Sequence, residues 1–288
     1  MNPTAADRLN ELAGKVRKLP PLPSVYIRVV ELIRNPHTSP DDLAKVVAND
    51  QVIAAKLLQL LNSSFYGFRQ RITTLPRAIT IIGFRGLRDL ILTISAVRVV
   101  RPWSAGRSFD DRTFWAHAVG CAASARVIAA ASGVGDPEEA FTAALLHDIG
   151  KVALYQFLRD EFVAIIWKAQ DANEPLHEVE NRELGFNHAD LGNLLAQRWK
   201  LPDDLTDPIA MHHVPGLARH RNITTTVHAA DILSHAMALG GTRSGRVPPL
   251  DNAAWETLNI ETEAIGPLMR QSVAECEKAK EFLAILNN

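Results

Sequence analysis

The apolar positions of this chain recur every three to four residues along nearly its whole length. Val and Ile fall at that spacing with Ala and Leu between them, and the strict alternation of a half-buried strand never persists. This period is typical of amphipathic helices, each of which buries one apolar stripe against its neighbours. The pattern therefore predicts an all-α fold.

Helix-start signals divide the first hundred residues into short helices. Ser39 can cap a helix that has Pro40 at its first position and acidic residues in its first turn, and Asp50 can cap the next helix. We expect helices at about 24–34, 40–48, 51–61, 75–82 and 87–100. These elements predict a small N-terminal helical lobe, residues 1–105.

The periodicity stops over residues 101–111 and then resumes. We expect further helices at about 112–132, 137–158, 161–172, 175–184, 188–200, 203–213 and 223–239. Glycines at 240–245 predict a flexible loop, and a helical tail follows at about 261–286. The expected architecture is two helical lobes, with a larger bundle at 106–240 and a C-terminal loop and tail at 241–288.

Charge and cysteine content exclude several classes of protein. The formal net charge is −1, so bulk electrostatics favour neither nucleic acid nor an anionic membrane. Cys121 and Cys276 lie far apart in helical patterns, which is typical of reduced cytosolic thiols. We find no signal peptide and no apolar run of about 18 residues, so a cytoplasmic protein without a membrane partner is expected.

An adjacent His147-Asp148 pair follows the apolar segment 141–146. A buried charge is costly unless it is paired or bound to a cation, so this dyad needs a partner. A divalent metal is the simplest partner, because imidazole and carboxylate are ordinary ligands for Zn, Fe or Mn. A His-Asp hydrogen bond that ties down a helix is the alternative.

Other histidines and one aspartate could complete a metal site. The candidates lie on five predicted helices: His117, His147-Asp148, His188, His212-His213 and Asp231. Adjacent helical residues point about 100° apart, so the two neighbouring histidines suit two ions better than one. Asp148 could bridge such ions with one oxygen for each.

The remaining histidines receive simpler interpretations. His37, His177 and His220 lie in polar or turn-rich sequence and are expected to be exposed. His228 and His235 flank Asp231 on its helix, where they could support that carboxylate or simply be half-buried.

Several motifs in order resemble the HDOD (HD-related output) domain over about residues 17–235. They are Leu19-Pro-Pro-Leu-Pro23, Leu60-Leu-Asn-Ser-Ser-Phe-Tyr-Gly67, Ala78-Ile-Thr-Ile-Ile-Gly83, Leu145-Leu-His-Asp-Ile-Gly-Lys151, Glu183-Leu-Gly-Phe-Asn-His188, Trp199-Lys-Leu-Pro202 and His212-His-Val-Pro215. The resemblance implies an HD-type helical bundle and a bacterial signalling or regulatory output module.

The related HD-GYP phosphodiesterases imply a ligand set and a lysine. Their metal ligands match all seven candidate positions, and Lys151 matches the lysine beside the dyad. Two departures stand out. Residues 214–220 replace the substrate-contacting GYP loop, and Thr113 replaces the glutamate that serves a third metal. The resemblance therefore implies one or two divalent ions rather than three.

Three functional hypotheses follow. The first is a regulatory module that binds a signalling protein or a nucleotide such as a cyclic dinucleotide. The second is a metal-dependent phosphohydrolase, in which Asp148 and Lys151 would be the catalytic groups. The third is a helix-turn-helix at 78–91 with Arg85 and Arg88. The net charge does not favour the third, so no direct DNA binding is expected.

Overall fold

The computed structural model describes residues 4–104, 111–239 and 247–287, and these residues form helices and turns without any strand. The predicted all-α fold is confirmed. In chain order the helices are α1 (Ala5–Arg17), α2 (Ser24–Ile33), α3 (Pro40–Ala48), α4 (Gln51–Leu61), α5 (Leu75–Ser104), α6 (Asp111–Ser132), α7 (Pro137–Leu146), α8 (Ile149–Phe157), α9 (Arg159–Ala172), α10 (Leu176–Leu184), α11 (His188–Arg198), α12 (Asp203–Met211), α13 (Arg221–Ala236), α14 (Asn252–Leu258) and α15 (Ile265–Asn287).

Contacts divide the chain into two compact units. One comprises residues 1–20 and 101–276, and the other comprises residues 21–100 and 277–288. The predicted boundary at 105/106 and the predicted loop at 240–245 lie outside the described residues. The sequence-derived domain limits therefore stay a prediction.

The smaller unit is built on the capped helices that the sequence predicted. Ser39 and Asp42 cap each other's backbone at the start of α3, and Asp50 accepts from two backbone amides at the start of α4. Leu57 of α4 is fully buried, and Phe282 from the C-terminal segment lies 5.1 Å from the ring of Phe65. The smaller unit thus closes its core with the end of α15.

Helix α5 bends at Gly83, where φ is 71° and ψ is 174°. The left-handed φ explains why glycine is needed there, and it separates the two helices predicted at 75–82 and 87–100. A helix-turn-helix has a turn of about three to four residues between its helices. Within the described part of α5, Gly83 is the one non-helical residue, so this geometry adds no support for DNA binding.

The larger unit packs α6, α7, α12 and α13 against one another, and α11 lies against α8 and α12. The same unit contains two helices that periodicity did not predict, α1 and α14. Both have a local signal that could have revealed them: a Thr4–Asp7 capping box for α1 and an Asp251 cap for α14. Helix α14 has only seven residues and α1 is rich in polar residues, so neither shows a clear apolar period.

The predicted helix at 137–158 is wrong in one respect, because the chain breaks at the dyad into α7 and α8. The backbone of Asp148 has φ −92° and ψ 8°, and the Nδ1 of His147 lies 2.6 Å from the carbonyl oxygen of Ala144. A side chain that takes a carbonyl of the helix competes with the backbone ladder. The break lets both dyad side chains face the same side.

Gly150 allows α8 and α11 to approach each other closely. A Cβ at this position would lie 1.8 Å from the carbonyl oxygen of His188 and 2.7 Å from the amide nitrogen of Gly192. Both contacts are with backbone, which cannot rotate away. The absence of a side chain at Gly150 therefore sets the distance between the dyad and His188.

Helix α6 is long and apolar enough over Arg112–Ser132 to cross a membrane by length and composition, although the sequence pattern predicted no such run. Of its apolar window, 72% is buried inside the protein. Core helices meet the same length test, and α6 packs against α7 and α13. The apolar length of α6 is thus used in the core of the larger unit.

We predict that Gly150→Ala lowers the free energy of unfolding by about 3 kcal/mol, because overpacking against backbone forces α8 and α11 apart. Chemical denaturation would measure the loss. Gly14→Ala is the matched control, since Gly14 lies within α1 and a Cβ there would meet nothing within 4 Å. The control should be neutral or more stable by up to about 1 kcal/mol. Equal stability of the two variants would contradict the prediction.

Candidate metal centre

The structure brings the seven predicted ligands into one buried cluster in the larger unit. His117 comes from the second turn of α6, the dyad from the α7–α8 break, His188 from the start of α11, and Asp231 from α13. His212 and His213 follow the end of α12. Apart from the half-buried His213, these residues are at most 5% exposed. The cluster is therefore shielded from water on most sides.

Asp148 lies at the centre with its two oxygens facing different histidines. Oδ2 is 3.4 Å from the Nε2 of His147 and 3.7 Å from that of His117. Oδ1 is 3.1 Å from the Nε2 of His188 and 3.8 Å from that of His212. Each oxygen thus belongs to a separate group of nitrogen donors, as a bridging carboxylate requires.

Asp231 completes the group around Oδ2 of Asp148, which also contains His117 and His147. Its Oδ1 is 3.1 Å from the Nε2 of His117 and 3.6 Å from that of His147. The second group is completed by His213, whose Nε2 lies 2.9 Å from the Nε2 of His188. Two nitrogen donors at that distance share one proton or one cation.

Hydrogen bonds outside the cluster orient the imidazoles. The Nδ1 of His147 donates to the carbonyl oxygen of Ala144, and the Nδ1 of His212 lies 3.1 Å from the carbonyl oxygen of Pro208. A donating Nδ1 leaves Nε2 with its lone pair directed at the centre. Both histidines are thereby held in the tautomer that binds a metal.

Glu180 belongs to the candidate site, although the sequence pattern did not predict it. It is fully buried, and its Oε2 accepts from the backbone amide of His188 at 2.9 Å and from the Nδ1 of His188 at 2.6 Å. A carboxylate behind an imidazole fixes the ring and makes Nε2 a better donor to a metal. A glutamate eight residues before a candidate ligand was the available signal, but spacing alone does not reveal the contact.

Lys151 lies one turn after the dyad, with its Nζ 2.5 Å from the Oδ2 of Asp148. Its side chain is 17% exposed, more than the side chain of Asp148, which is 2% exposed. The lysine and the half-buried His213 therefore mark where the cluster approaches solvent. An ammonium group at this place could also meet an anionic ligand.

The charges of the cluster set its protonation. Burial by itself raises the pKa of Asp148, but the charges of His147 and Lys151 outweigh it and hold that pKa well below its ordinary value. Burial lowers the pKa of His212, and the charges of His147 and His188 lower it further. Asp148 is therefore ionised and His212 neutral, as metal ligands need to be, whereas the raised pKa values of His147 and His188 mean that a metal would have to displace their protons.

Two buried atoms at the centre have unused hydrogen-bonding capacity. Among the described residues, nothing makes a hydrogen bond to the Nε2 of His147 or to the Oδ1 of Asp148. Such groups are costly to bury without a partner. Subsets of the cluster place their donor atoms within 4.8 Å of one another, close enough to hold an ion. The residues present therefore fit a divalent metal.

Three histidines outside the cluster and away from Asp231 were predicted to be exposed. His37 and His220 are exposed, as predicted. The prediction for His177 is wrong: it is half-buried and stacks on His213 with ring centroids 3.8 Å apart, because α10 packs its first turn against the cluster. Burial and the charge of His188 lower the pKa of His177 to about 4.

The two histidines that flank Asp231 have different partners. His228 does not reach that carboxylate: its Nδ1 donates to the carbonyl oxygen of His212, and its Nε2 accepts from the backbone amide of Asp251. His235 does reach it, with Nε2 3.4 Å from Oδ1. His228 thus holds the backbone of the candidate ligand His212, whereas His235 contacts the carboxylate of the candidate ligand Asp231.

We predict that the metal-free protein loses stability as the pH rises from about 6.5 to about 9. Burial alone lowers the pKa of His188, but Glu180 outweighs it and raises that pKa from 6.5 to about 9. A histidine whose pKa is higher in the folded than in the unfolded state stabilises the folded state fully at pH values below its unfolded-state pKa. This contribution is lost as the pH rises through the folded-state pKa. Its size is roughly 3 kcal/mol at most.

Denaturation in chelator across this pH range would test the effect. Glu180→Gln should be less stable than wild type by the largest margin at low pH, and the margin should shrink as pH rises. Glu178→Gln, an exposed change on the same helix, is the control and should follow the wild type. A margin that does not vary with pH would refute the assignment of His188.

Comparison with known proteins places the chain in a family. The HDOD domain model matches residues 19–215, more than half of the chain. A crystal structure of an HDOD domain protein of unknown function from Geobacter sulfurreducens is 26% identical, with a TM-score of 0.71 over 99% of this chain and 97% of that one. A structure described as a candidate phosphohydrolase from Shewanella amazonensis is 25% identical, with a TM-score of 0.69 over 94% and 97%.

A relative from Treponema pallidum is an uncharacterised protein, 27% identical over 208 residues. The match covers 70% of this chain and 39% of the relative, so this chain spans about two fifths of the length of that protein. The family match rests on residues 19–215, which include Lys151, Glu180 and six of the seven candidate ligands, all except Asp231. This chain belongs to the HDOD domain family.

Proposed function

We propose that this protein is a regulatory output module whose buried cluster of histidines and aspartates holds one or two divalent ions, with Fe, Mn or Zn as the candidates. One observation carries the metal site: Asp148 directs each of its oxygens at a different group of histidines, while its Oδ1 and the Nε2 of His147 have no hydrogen bond among the described residues. A cation satisfies such an arrangement where no protein group does.

Each half of the cluster would hold one ion. His117, His147 and Asp231 surround the Oδ2 side of Asp148, and His188, His212 and His213 surround the Oδ1 side. A divalent ion in these positions supplies Lewis acidity and a fixed positive charge. The protein residues keep the carboxylates ionised, orient the imidazoles and exclude bulk water.

The regulatory role is supported by the family and by the segment that follows the histidine pair. The chain leaves the cluster through a short 3₁₀ turn, Pro215–Leu217, in place of the GYP loop. Val214 is 47% exposed and Leu217 is 74% exposed, so this rim offers apolar side chains. Exposed apolar groups suit a protein partner better than a phosphate. We propose a signalling protein as the partner, with a cyclic dinucleotide as the second candidate.

Phosphohydrolysis is the alternative function, and one specific observation favours it. The ligand set has no gap, and the ammonium group of Lys151 lies beside the central carboxylate at the more exposed side of the cluster. There it could neutralise charge that develops on a phosphoryl oxygen. The Shewanella protein described as a candidate phosphohydrolase is similar over nearly the whole chain.

We predict about two equivalents of metal per chain after loading with Mn, Fe or Zn, as measured by elemental analysis. Asp148→Ala should lose most of the metal, since that carboxylate serves both halves of the cluster. His220→Ala is the control, because this histidine is exposed and lies outside the cluster. A well-folded wild-type protein that binds no metal would refute the proposed site.

We further predict that metal-loaded protein does not hydrolyse cyclic dinucleotides or simple phosphate esters above the rate of Asp148→Ala. The missing substrate-contacting loop is the reason. Hydrolysis that needs both metal and Lys151, tested with Lys151→Met, would reject the purely regulatory function and establish the alternative. Arg159→Met is the control. It also removes a positive charge, but Arg159 lies over the ring of Tyr155 and not beside Asp148.

A further inference from the structure

We infer that Cys121 is a metal ligand, which makes one half of the cluster a thiolate site. This inference rests on the proposed metal centre and specifies the chemistry of one ion. Cys121 is fully buried on α6, one turn after His117. Its Sγ is 3.4 Å from the Nε2 of His117 and 3.6 Å from the Oδ1 of Asp231.

These distances are close to the donor–donor edges of a tetrahedral zinc site formed by His117, Cys121, His147 and Asp231, to which Oδ2 of Asp148 would add a fifth ligand. Zn–N and Zn–O bonds of about 2.1 Å and a Zn–S bond of about 2.3 Å imply N–O edges near 3.4 Å and N–S edges near 3.6 Å. The N–O edge from His117 to Asp231 is 3.1 Å, and the edge from His147 to Asp231 is 3.6 Å. Together with Cys121, these donor atoms all lie within 4.8 Å of one another.

A second observation points to a ligand at this place. The Nε2 of His147 belongs to the same four-residue group, is fully buried, and has no hydrogen bond within the described chain. Its other ring nitrogen donates to the carbonyl oxygen of Ala144, so in the neutral ring the lone pair of Nε2 is directed into the group. A metal would use this lone pair and the sulfur together.

Without metal, the thiol of Cys121 donates a weak hydrogen bond to Asp231. When a divalent ion binds, the sulfur coordinates as thiolate and its proton leaves to solvent. The two halves of the cluster then differ. The half with His117, Cys121, His147 and Asp231 has a soft donor, whereas the half with His188, His212 and His213 offers nitrogen and oxygen alone. A thiolate favours Zn, Fe or Co over Mn or Mg.

Cobalt(II) replacement tests this inference on the full-length protein. A cobalt–thiolate bond adds a near-ultraviolet charge-transfer absorption that nitrogen and oxygen ligands do not give. We expect this absorption in the wild type and in Cys276→Ser, and its loss in Cys121→Ser with at least one cobalt still bound. The chain has two cysteines, so Cys276→Ser leaves Cys121 as the single thiol.

The possible results distinguish a failure of the Cys121 ligand from a failure of the metal site itself. Cobalt that binds the wild type without a thiolate band overturns the inference and leaves the metal site standing. A band that survives in Cys121→Ser and vanishes in Cys276→Ser overturns it as well. Failure of the wild type to bind cobalt, zinc or manganese overturns both proposals. If Cys121→Ser does not fold, the presence or absence of the band in Cys276→Ser gives the answer.

Discussion

Two ionised carboxylates buried in an apolar helical bundle are the constraint on which the larger unit depends. Asp148 is 1% exposed and Asp231 is 5% exposed. Isolated charges in such surroundings would cost several kcal/mol each, so positive or proton-donating groups must surround them. The imidazoles and Lys151 do this in the metal-free protein, and they come from α6, α8 and α11 and from the residues that directly follow α7 and α12. The helices must therefore pack in the arrangement that brings these compensating side chains to the two carboxylates.

The backbone is shaped by the same requirement. The break between α7 and α8 turns both dyad side chains inward, and Gly150 lets α11 come close enough for His188 to reach Asp148. Glu180 then compensates His188 from behind. Each of these features is costly or neutral for a helix by itself. Together they bring the donor atoms of the cluster close enough to hold a metal ion.

The electrostatics divide the histidines into two kinds. Burial and neighbouring positive charge lower the pKa of His212 and of His213, so both are neutral donors at neutral pH. Burial lowers the pKa of His147 and of His188, but Asp148 and Glu180 outweigh it, so both can hold a proton in the absence of metal. A metal would displace those protons, and its affinity should therefore rise with pH.

Local sequence determined the helical class, the capped starts of α3 and α4, and the identities of the candidate ligands, because period and capping depend on neighbours in the chain. Tertiary structure decided the rest. The contacts of Cys121 with Asp231 and of His177 with His213 join residues distant in sequence. The helix break at the dyad and the Glu180–His188 contact are local, but they depend on side-chain geometry that the apolar period does not show. Spacing gives a residue its helical face, but only packing determines which atoms meet across helices, since burial and charge are shared among elements.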